Sequence, residues 1–147
     1  MDDEARRVLE AAFPDEAANY FEPMLIGDTP ESADEGAALI LDGTKTATSS
    51  PDWDYPDGRI PFVGALSVLL DGKGRARAIV RTWRVTSIPF GELDEDFARA
   101  YGEGERTLAW FRTVIGDWYR RGAARHGVAF SDETPVICEW IEVVRRL

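Results

Sequence analysis

The sequence predicts an α+β domain in which a small mixed or antiparallel β-barrel is surrounded by helices. The turn Asp71–Gly74 joins two β-prone runs, residues 62–70 and 75–87, and its Asp-Gly-Lys-Gly composition is typical of a β-hairpin. A long amphipathic segment, residues 106–126, predicts a helix between this hairpin and a closing β-prone run over residues 135–145. Strands therefore outnumber helices in the last two-thirds of the chain, which favours a barrel-like sheet with helices outside it.

A single domain is expected, because 147 residues suffice for one hydrophobic core and no linker or repeat divides the chain. Residues 3–13 predict an amphipathic helix, so residues 1–20 form an N-terminal helical extension of this domain. Residues 21–31 look irregular. The apolar run 33–41 predicts a second helix, and Gly43 is the residue expected just past its end.

The segment Ser49–Ile60 predicts a long loop that is rich in Pro, Asp and Gly and carries Trp53 and Tyr55. Long ordered loops in compact domains often cover a functional site. An aromatic flap that only plugs the end of the core explains the same composition equally well.

The rest of the chain predicts a short helix over residues 93–101, the long helix 106–126 and a last strand over residues 135–145. The apolar residues of the long helix recur with helical spacing and predict its buried face: Leu108, Phe111, Val114, Ile115, Trp118 and Tyr119. Cys138 lies in the apolar last strand, where a buried core cysteine is expected.

Composition limits the partners. The chain has 17 Lys and Arg against 27 Asp and Glu, a net charge of −10, which disfavours a long RNA footprint because such binding depends on cations that neutralise phosphates. No apolar run is long enough to span a bilayer, so no membrane partner is expected. One cysteine and an acidic start, Met1-Asp2-Asp3-Glu4, favour a cytoplasmic location.

Lys45 is the first candidate for chemistry, because it follows Gly43 at a predicted helix-to-strand junction. A lysine at the rim of a sheet can be partly desolvated, which lowers its pKa and makes it a base or an anion holder. The alternative is a solvated turn lysine. In either case the position suggests a surface residue whose truncation costs little folding energy.

Glu103 and Glu105 are the second candidates, since they alternate with Gly102 and Gly104 directly before the long helix. Glycine gives this backbone conformations that are closed to other residues. Carboxylates also occur at helix N-termini because they complement the helix dipole, so helix capping is the alternative role of each glutamate. Thr107 fits a surface position of the helix.

Three segments resemble the ASCH domain family, whose fold is similar to that of PUA domains. Gly43–Thr48 resembles the motif G-x-K-x-x-T, and Tyr101–Arg112 resembles the block E-G-E-G-D-x-S-L-x-x-W-R, with Glu105, Thr107 and Phe111 replacing its aspartate, serine and tryptophan. Pro135–Val144 resembles the closing strand of the family. The resemblance covers residues 20 to 147 and implies a PUA-like β-barrel.

The resemblance implies a ligand that is RNA, a nucleotide or a modified nucleoside. Some small ASCH-like proteins hydrolyse the acyl amide of N4-acylated cytidines with a lysine, a threonine and a glutamate, and others have been assigned ribonuclease activity. Matched to the motifs, the catalytic residues are Lys45, Thr48 and either Glu103 or Glu105. Lys45 would take the proton of Thr48, whose oxygen attacks the acyl carbon.

A non-catalytic reader that holds RNA or a nucleotide in the same cleft is the alternative function. The expected ligand contacts are Gly43, Thr44, Trp53, Tyr55 and Arg81. Neither a cofactor nor a metal is expected, because one histidine and one cysteine make no zinc site and no phosphate-binding loop is present. The sequence leaves the oligomeric state open.

Overall fold

The computed structural model describes all residues 1–147 and contains a five-stranded sheet in the order β1-β3-β4-β5-β2. The strands are β1 (Tyr20–Met24), β2 (Ala47–Pro51), β3 (Leu66–Leu70), β4 (Ala76–Pro89) and β5 (Pro135–Arg146). β1 pairs parallel with β3, and the other pairs are antiparallel. The α+β class and the mixed sheet are confirmed, but the expected barrel is open because the edge strands β1 and β2 do not pair with each other.

Five α-helices surround the sheet: α1 (Asp2–Ala12), α2 (Pro30–Leu41), α3 (Glu95–Tyr101), α4 (Leu108–Trp110) and α5 (Gly116–Arg125). The π-helical turn Phe111–Ile115 joins α4 to α5, so the predicted long helix is present and starts at Leu108. Short 3-10 helices occupy Pro14–Asn19, Asp52–Asp54 and Phe90–Glu92. None of the helices has the length and apolar character that a membrane span requires.

Helices α1 and α2 cover opposite faces of the β3–β4 hairpin. Leu9 of α1 packs in one cluster with Ile79, whereas Ile40 of α2 packs in another with Val80. Helices therefore cover both faces of the hairpin and exclude solvent, which explains why every residue of β3 is buried.

The largest core cluster lies where β2 and β5 meet α3, α4 and α5, and it includes Phe90, Phe97, Tyr101, Phe111 and Tyr119. Phe111, Ile115 and Tyr119 of the predicted stripe are buried, but Val114 is 43% exposed. The π-helical turn explains the difference, because its wider spacing shifts the residues of one turn around the helix axis.

The interpretation of residues 21–31 as irregular is wrong. The segment contains most of β1, and its end belongs to α2, which a Thr29–Ser32 capping box starts. Pro23 and Glu22 break the apolar pattern of β1, and the register with β3 is irregular between Tyr20 and Pro23, so the sequence carries a weak strand signal there.

Thr107 begins the long helix as its N-cap, since its hydroxyl accepts a hydrogen bond from the Trp110 amide at 3.1 Å. Glu95 also accepts one from the Leu108 amide at 3.1 Å. Glu105 is exposed and makes no hydrogen bond to the helix. The interpretation of Thr107 as a plain surface residue is therefore wrong, because the helix starts one residue after it.

Replacing Thr107 by alanine is expected to lower the free energy of unfolding by about 1 kcal/mol, the usual cost of a lost N-cap. Glu105→Ala is the control and is expected to change it by less than about 0.5 kcal/mol, as at other exposed positions. Urea denaturation measures both values. Equal losses in the two variants would contradict this assignment of the cap.

Candidate functional site

Lys45 lies in the connection between α2 and β2, before the strand begins. Its amide donates a hydrogen bond to the Leu39 carbonyl at 3.0 Å, so the backbone is still tied to the end of α2. The next residue, Thr46, donates to the Ala100 carbonyl at 2.7 Å and accepts from the Ile141 amide at 3.0 Å. These bonds fix the Lys45 backbone against both α3 and β5.

The Lys45 side chain is buried, with Nζ 2.8 Å from Glu103 Oε2 and 3.0 Å from the Tyr101 carbonyl oxygen. Nζ also lies 3.4 Å from the centre of the Tyr101 ring. Burial lowers the pKa of Lys45 to about 8, and the neighbouring Glu103 carboxylate opposes part of that shift. The alternative of a solvated turn lysine is therefore wrong, and so is the expectation of a surface residue.

Two glycines with left-handed backbone make the contact between Lys45 and Glu103 possible. Gly102 has φ of 74°, and a Cβ there would lie 2.6 Å from Lys45 Cα. Gly104 has φ of 61°, and a Cβ there would overlap the Trp110 ring. The glycines thus allow the loop to pass close to Lys45 while Glu103 turns inward. The geometry brings Glu103 to the lysine and leaves Glu105 exposed.

Thr48 faces away from Lys45. Along β2, Ala47 and Ser49 are buried in or against the large aromatic cluster, with Ser49 hydrogen-bonded to Tyr119. Thr48 and Ser50 alternate with them and line a cavity on the other side of the strand. No hydrogen bond joins Lys45 to Thr48.

That cavity, called the acidic cavity below, has a volume of about 220 Å³. Its walls come from β1 and the residues after it, from β2, from the loop that follows β2, and from β5. The lining residues are Glu22, Pro23, Met24, Leu25, Ile26, Thr48, Ser50, Asp54, Tyr55 and Glu139.

Two carboxyl groups of the acidic cavity are strongly perturbed. Burial raises the pKa of Glu139 to about 7, although a hydrogen bond from the Thr82 hydroxyl at 3.0 Å opposes the shift. Burial also raises the pKa of Glu22 to about 7, and the charge of Glu139 adds to it. Asp54 is more exposed than the two glutamates, and partial desolvation raises the pKa of its carboxyl while the charge of His126 opposes the shift. The cavity therefore holds carboxyl groups that exchange protons near neutral pH.

The expected ligand contacts are distributed over several places. Tyr55 lines the acidic cavity, but Trp53 stacks on His126 with ring centres 6.1 Å apart and packs against the aromatic core. The two alternatives for this loop therefore apply to different residues: Tyr55 lines the cavity, whereas Trp53 packs against the core. Arg81 lies within 3.6 Å of Glu16 on the surface, away from the cavity lining.

Gly43 and Thr44 end α2 outside the acidic cavity. Gly43 has φ of 85°, the conformation expected just past a helix end, and it lines a different groove together with Glu142 and Arg146. The Thr44 amide donates to Asp42 Oδ1 at 2.8 Å. Their positions indicate a structural role in the turn that precedes Lys45.

Sequence reasoning missed Glu22, Asp54 and Glu139. Glu139 is a charged residue in the middle of an apolar strand, and that contrast was the available signal. Glu22 gave none, because its strand was not predicted. No group of three or more His, Cys, Asp or Glu side chains is arranged to hold a metal ion.

The comparisons with known proteins agree with the geometry of the fold. The family model of the ASCH domain matches residues 22–145. The comparison with curated proteins gives no match.

Solved structures are similar over almost the whole chain. An ASCH domain of Lactobacillus crispatus has a TM-score of 0.82 at 24% identity, over 95% of this chain and 90% of that one. A protein of Enterococcus faecalis has a TM-score of 0.77 at 25% identity, over 98% and 95%. A variant of an ASCH protein of Zymomonas mobilis has a TM-score of 0.50 at 13% identity, over 84% and 71%. The first two share the fold from end to end.

Proposed function

The chain belongs to the ASCH domain family, and from that premise we propose that it binds a nucleoside-sized ligand in the acidic cavity. The observation that carries the proposal is the meeting of Glu22, Thr48, Tyr55 and Glu139 around one small cavity. Thr48 belongs to the family motif and Tyr55 to the loop that the sequence predicts beside the site. Glu22 and Glu139 add the polar groups that fix a ligand's orientation.

The size of the cavity favours a single base over a longer nucleic acid. About 220 Å³ is less than the space that drug-sized ligands need, which is roughly 300 Å³ or more. One side offers carboxyl and hydroxyl groups that accept hydrogen bonds from ring and amino N–H groups. The other side is apolar, with Pro23, Met24 and Ile26, and suits the face of a flat ring.

Hydrolysis in the same cavity is the second candidate function, and the position of Thr48 favours it. Thr48 lies directly opposite Glu139 in the antiparallel pair of β2 and β5, an arrangement that places Cβ atoms about 5 Å apart. Both side chains line the acidic cavity. A carboxyl group with a pKa of about 7 is suited to general acid and base catalysis near neutral pH.

In this proposal the base is Glu139 instead of Lys45. Glu139 takes the proton of the Thr48 hydroxyl, and the Thr48 oxygen attacks the acyl carbon of an N4-acylated cytidine. The C–N bond breaks, the released amine takes the proton from Glu139, and water then hydrolyses the ester on Thr48. Lys45 acts as a positioning residue, since its ion pair with Glu103 fixes the start of β2.

Calorimetric titration with cytidine, N4-acetylcytidine and a ten-nucleotide RNA tests this proposal. Glu139→Gln is expected to weaken nucleoside binding by about tenfold, because a charge-assisted hydrogen bond contributes roughly 1.5–3 kcal/mol. The RNA is expected to bind no more tightly than cytidine. A much tighter RNA complex that is insensitive to Glu139→Gln would contradict the proposed site.

Thr48→Val separates binding from hydrolysis. The variant is expected to keep cytidine affinity within about threefold and to lose turnover of N4-acetylcytidine, because only the nucleophile is removed. Thr46→Val is the matched control, since Thr46 is exposed and lies outside the acidic cavity. If Thr48→Val hydrolyses N4-acetylcytidine as fast as wild type, the hydrolytic candidate is wrong while the binding proposal stands.

A further inference from the structure

The ionisable side chains that line the acidic cavity include acidic groups and no basic group. Its walls include the carboxyl groups of Glu22, Asp54 and Glu139, and no Lys, Arg or His lines it. The whole chain carries a net charge of −10, which adds a negative long-range potential. Carboxylates gathered in a low-dielectric cavity repel one another and are stabilised by a proton or another positive group.

The nearest cations are engaged elsewhere. Arg59 donates hydrogen bonds to the carbonyl oxygens of Phe21 at 2.9 Å and Tyr20 at 2.7 Å, and its guanidinium lies over the Phe21 ring. His126 is exposed at the end of α5 and stacks on Trp53. Neither side chain lines the cavity, although the charge of Arg59 opposes part of the pKa shift of Glu22 and that of His126 opposes part of the shift of Asp54.

Glu139 has an oxygen that no protein group satisfies. Its side chain is deeply buried, at 2% exposure, and Oε1 accepts the hydrogen bond from Thr82. The other oxygen receives no hydrogen bond from the protein, although the residue lines the cavity. This oxygen is not fully buried, so it is open to the cavity and can accept a hydrogen bond from a ligand there.

We propose that the acidic cavity selects a nitrogenous organic cation, and that the nucleoside it takes carries its positive charge on the base. This inference rests on the proposed function for the nucleoside part. The charged ring supplies the positive group that the walls lack, and its N–H groups donate to Glu22 and Glu139. Phosphate groups are repelled, so a free nucleoside or base is preferred to a nucleotide.

Proton linkage follows from the same arrangement. Around pH 7 the carboxyl groups of Glu22 and Glu139 are partly protonated, and a cation that binds between them displaces that proton. The affinity for a cation therefore rises from pH 6 to pH 8. The other charged or titratable groups near the pair are Asp54, Tyr55, Arg59 and, beyond Asp54, His126.

The test compares 3-methylcytidine, whose ring is cationic at neutral pH, with neutral cytidine by calorimetric titration at pH 7. Cytidine monophosphate tests the effect of an added negative charge, and agmatine tests a cation that lacks a nucleoside. The wild-type protein is expected to bind 3-methylcytidine at least about tenfold more tightly than cytidine and to release protons on binding, as shown by titration in buffers of different ionisation enthalpy. Cytidine monophosphate is expected to bind more weakly than cytidine.

The double variant Glu22→Gln/Glu139→Gln is expected to lose most of the preference for 3-methylcytidine, because its cavity keeps its shape and loses the two more buried of its three carboxyl groups. Glu142→Gln is the matched control, since Glu142 is exposed on the same strand, outside the cavity lining. A thermal melt of each variant verifies folding. A preference that survives in the double variant would overturn the inference.

The arms separate this inference from the proposed function. If cytidine binds and 3-methylcytidine binds no more tightly, the charge inference is wrong and the nucleoside proposal stands. If agmatine binds in a manner that depends on Glu22 and Glu139 while neither nucleoside binds, the charge inference stands and the nucleoside proposal is wrong. If none of the four compounds binds, both are wrong.

Discussion

Replacing Lys45 by alanine is expected to lower the free energy of unfolding by about 3 kcal/mol, the typical cost of breaking a buried ion pair. The variant removes the stem that packs on Tyr101 and leaves a cavity. It also deprives Glu103 of its ammonium partner at 2.8 Å. Urea denaturation of wild type and variant at pH 7 measures the difference.

Lys73 is the matched control, because it is the other lysine of the chain and is exposed in the hairpin turn. Lys73→Ala is expected to change the free energy of unfolding by less than about 0.5 kcal/mol. Lys45→Met, which keeps most of the volume, is expected to cost less than Lys45→Ala because it leaves a smaller cavity beside the Tyr101 ring. A Lys45→Ala variant as stable as Lys73→Ala would contradict the buried position of Lys45.

The acidic cavity is expected to make the protein less stable as the pH rises from 5 to 8. The pKa values of Glu22 and Glu139 are raised in the folded state to about 7, above the usual value near 4.3 of an unfolded chain. Their contribution to stability is therefore fully present below about pH 4 and is lost as the pH passes 7. Each unit of pKa difference corresponds to about 1.4 kcal/mol, so the two groups together give a loss of several kcal/mol.

Urea denaturation at pH 5, 6, 7 and 8 measures this loss. Glu22→Gln/Glu139→Gln is expected to give a flatter pH dependence and to be more stable than wild type at pH 8. Glu142→Gln, on the surface of the same strand, is expected to keep the wild-type slope. The Asp71 carboxyl, whose pKa is lowered to about 2 by hydrogen bonds from Arg75 and Lys73, does not titrate in this window. A double variant with the wild-type slope would show that the two glutamates are not the cause.

Local signals predicted much of the fold. The hairpin could be predicted because its turn depends on local contacts of Asp71. The buried carboxylate of Asp71 accepts hydrogen bonds from the Lys73 amide at 2.9 Å and from the Arg75 amide at 3.0 Å within the turn itself. The end of α2 at Gly43 likewise depends on one residue with positive φ. Such features follow from a few neighbouring residues, and their chemistry is visible in the sequence.

Features that depend on distant residues were not predictable in the same way. The acidic cavity joins Glu22 to Glu139, residues on β1 and β5 that are far apart in the chain and lie together only when the sheet has formed. The exposure of Val114 depends on a π-helical turn that a regular helical period does not describe.

The two motif residues Lys45 and Thr48 illustrate the limit most clearly. The spacing of three residues allowed both convergence in a turn and separation by a strand. The sequence did not decide between them, because the start of β2 at Ala47 depends on its pairing with Trp140 of β5. With that register, Lys45 forms its ion pair with Glu103 on one side of the strand, and Thr48 lines the acidic cavity on the other side.

The ligand is expected to bind in the acidic cavity and not beside Lys45. Two-dimensional amide NMR of the labelled protein, titrated with 3-methylcytidine and with cytidine, distinguishes these two positions. We expect the shifted amides to cluster at the cavity-lining residues Glu22, Thr48, Tyr55 and Glu139. Shifts concentrated instead at Lys45 and Glu103, with the cavity residues unchanged, would contradict it.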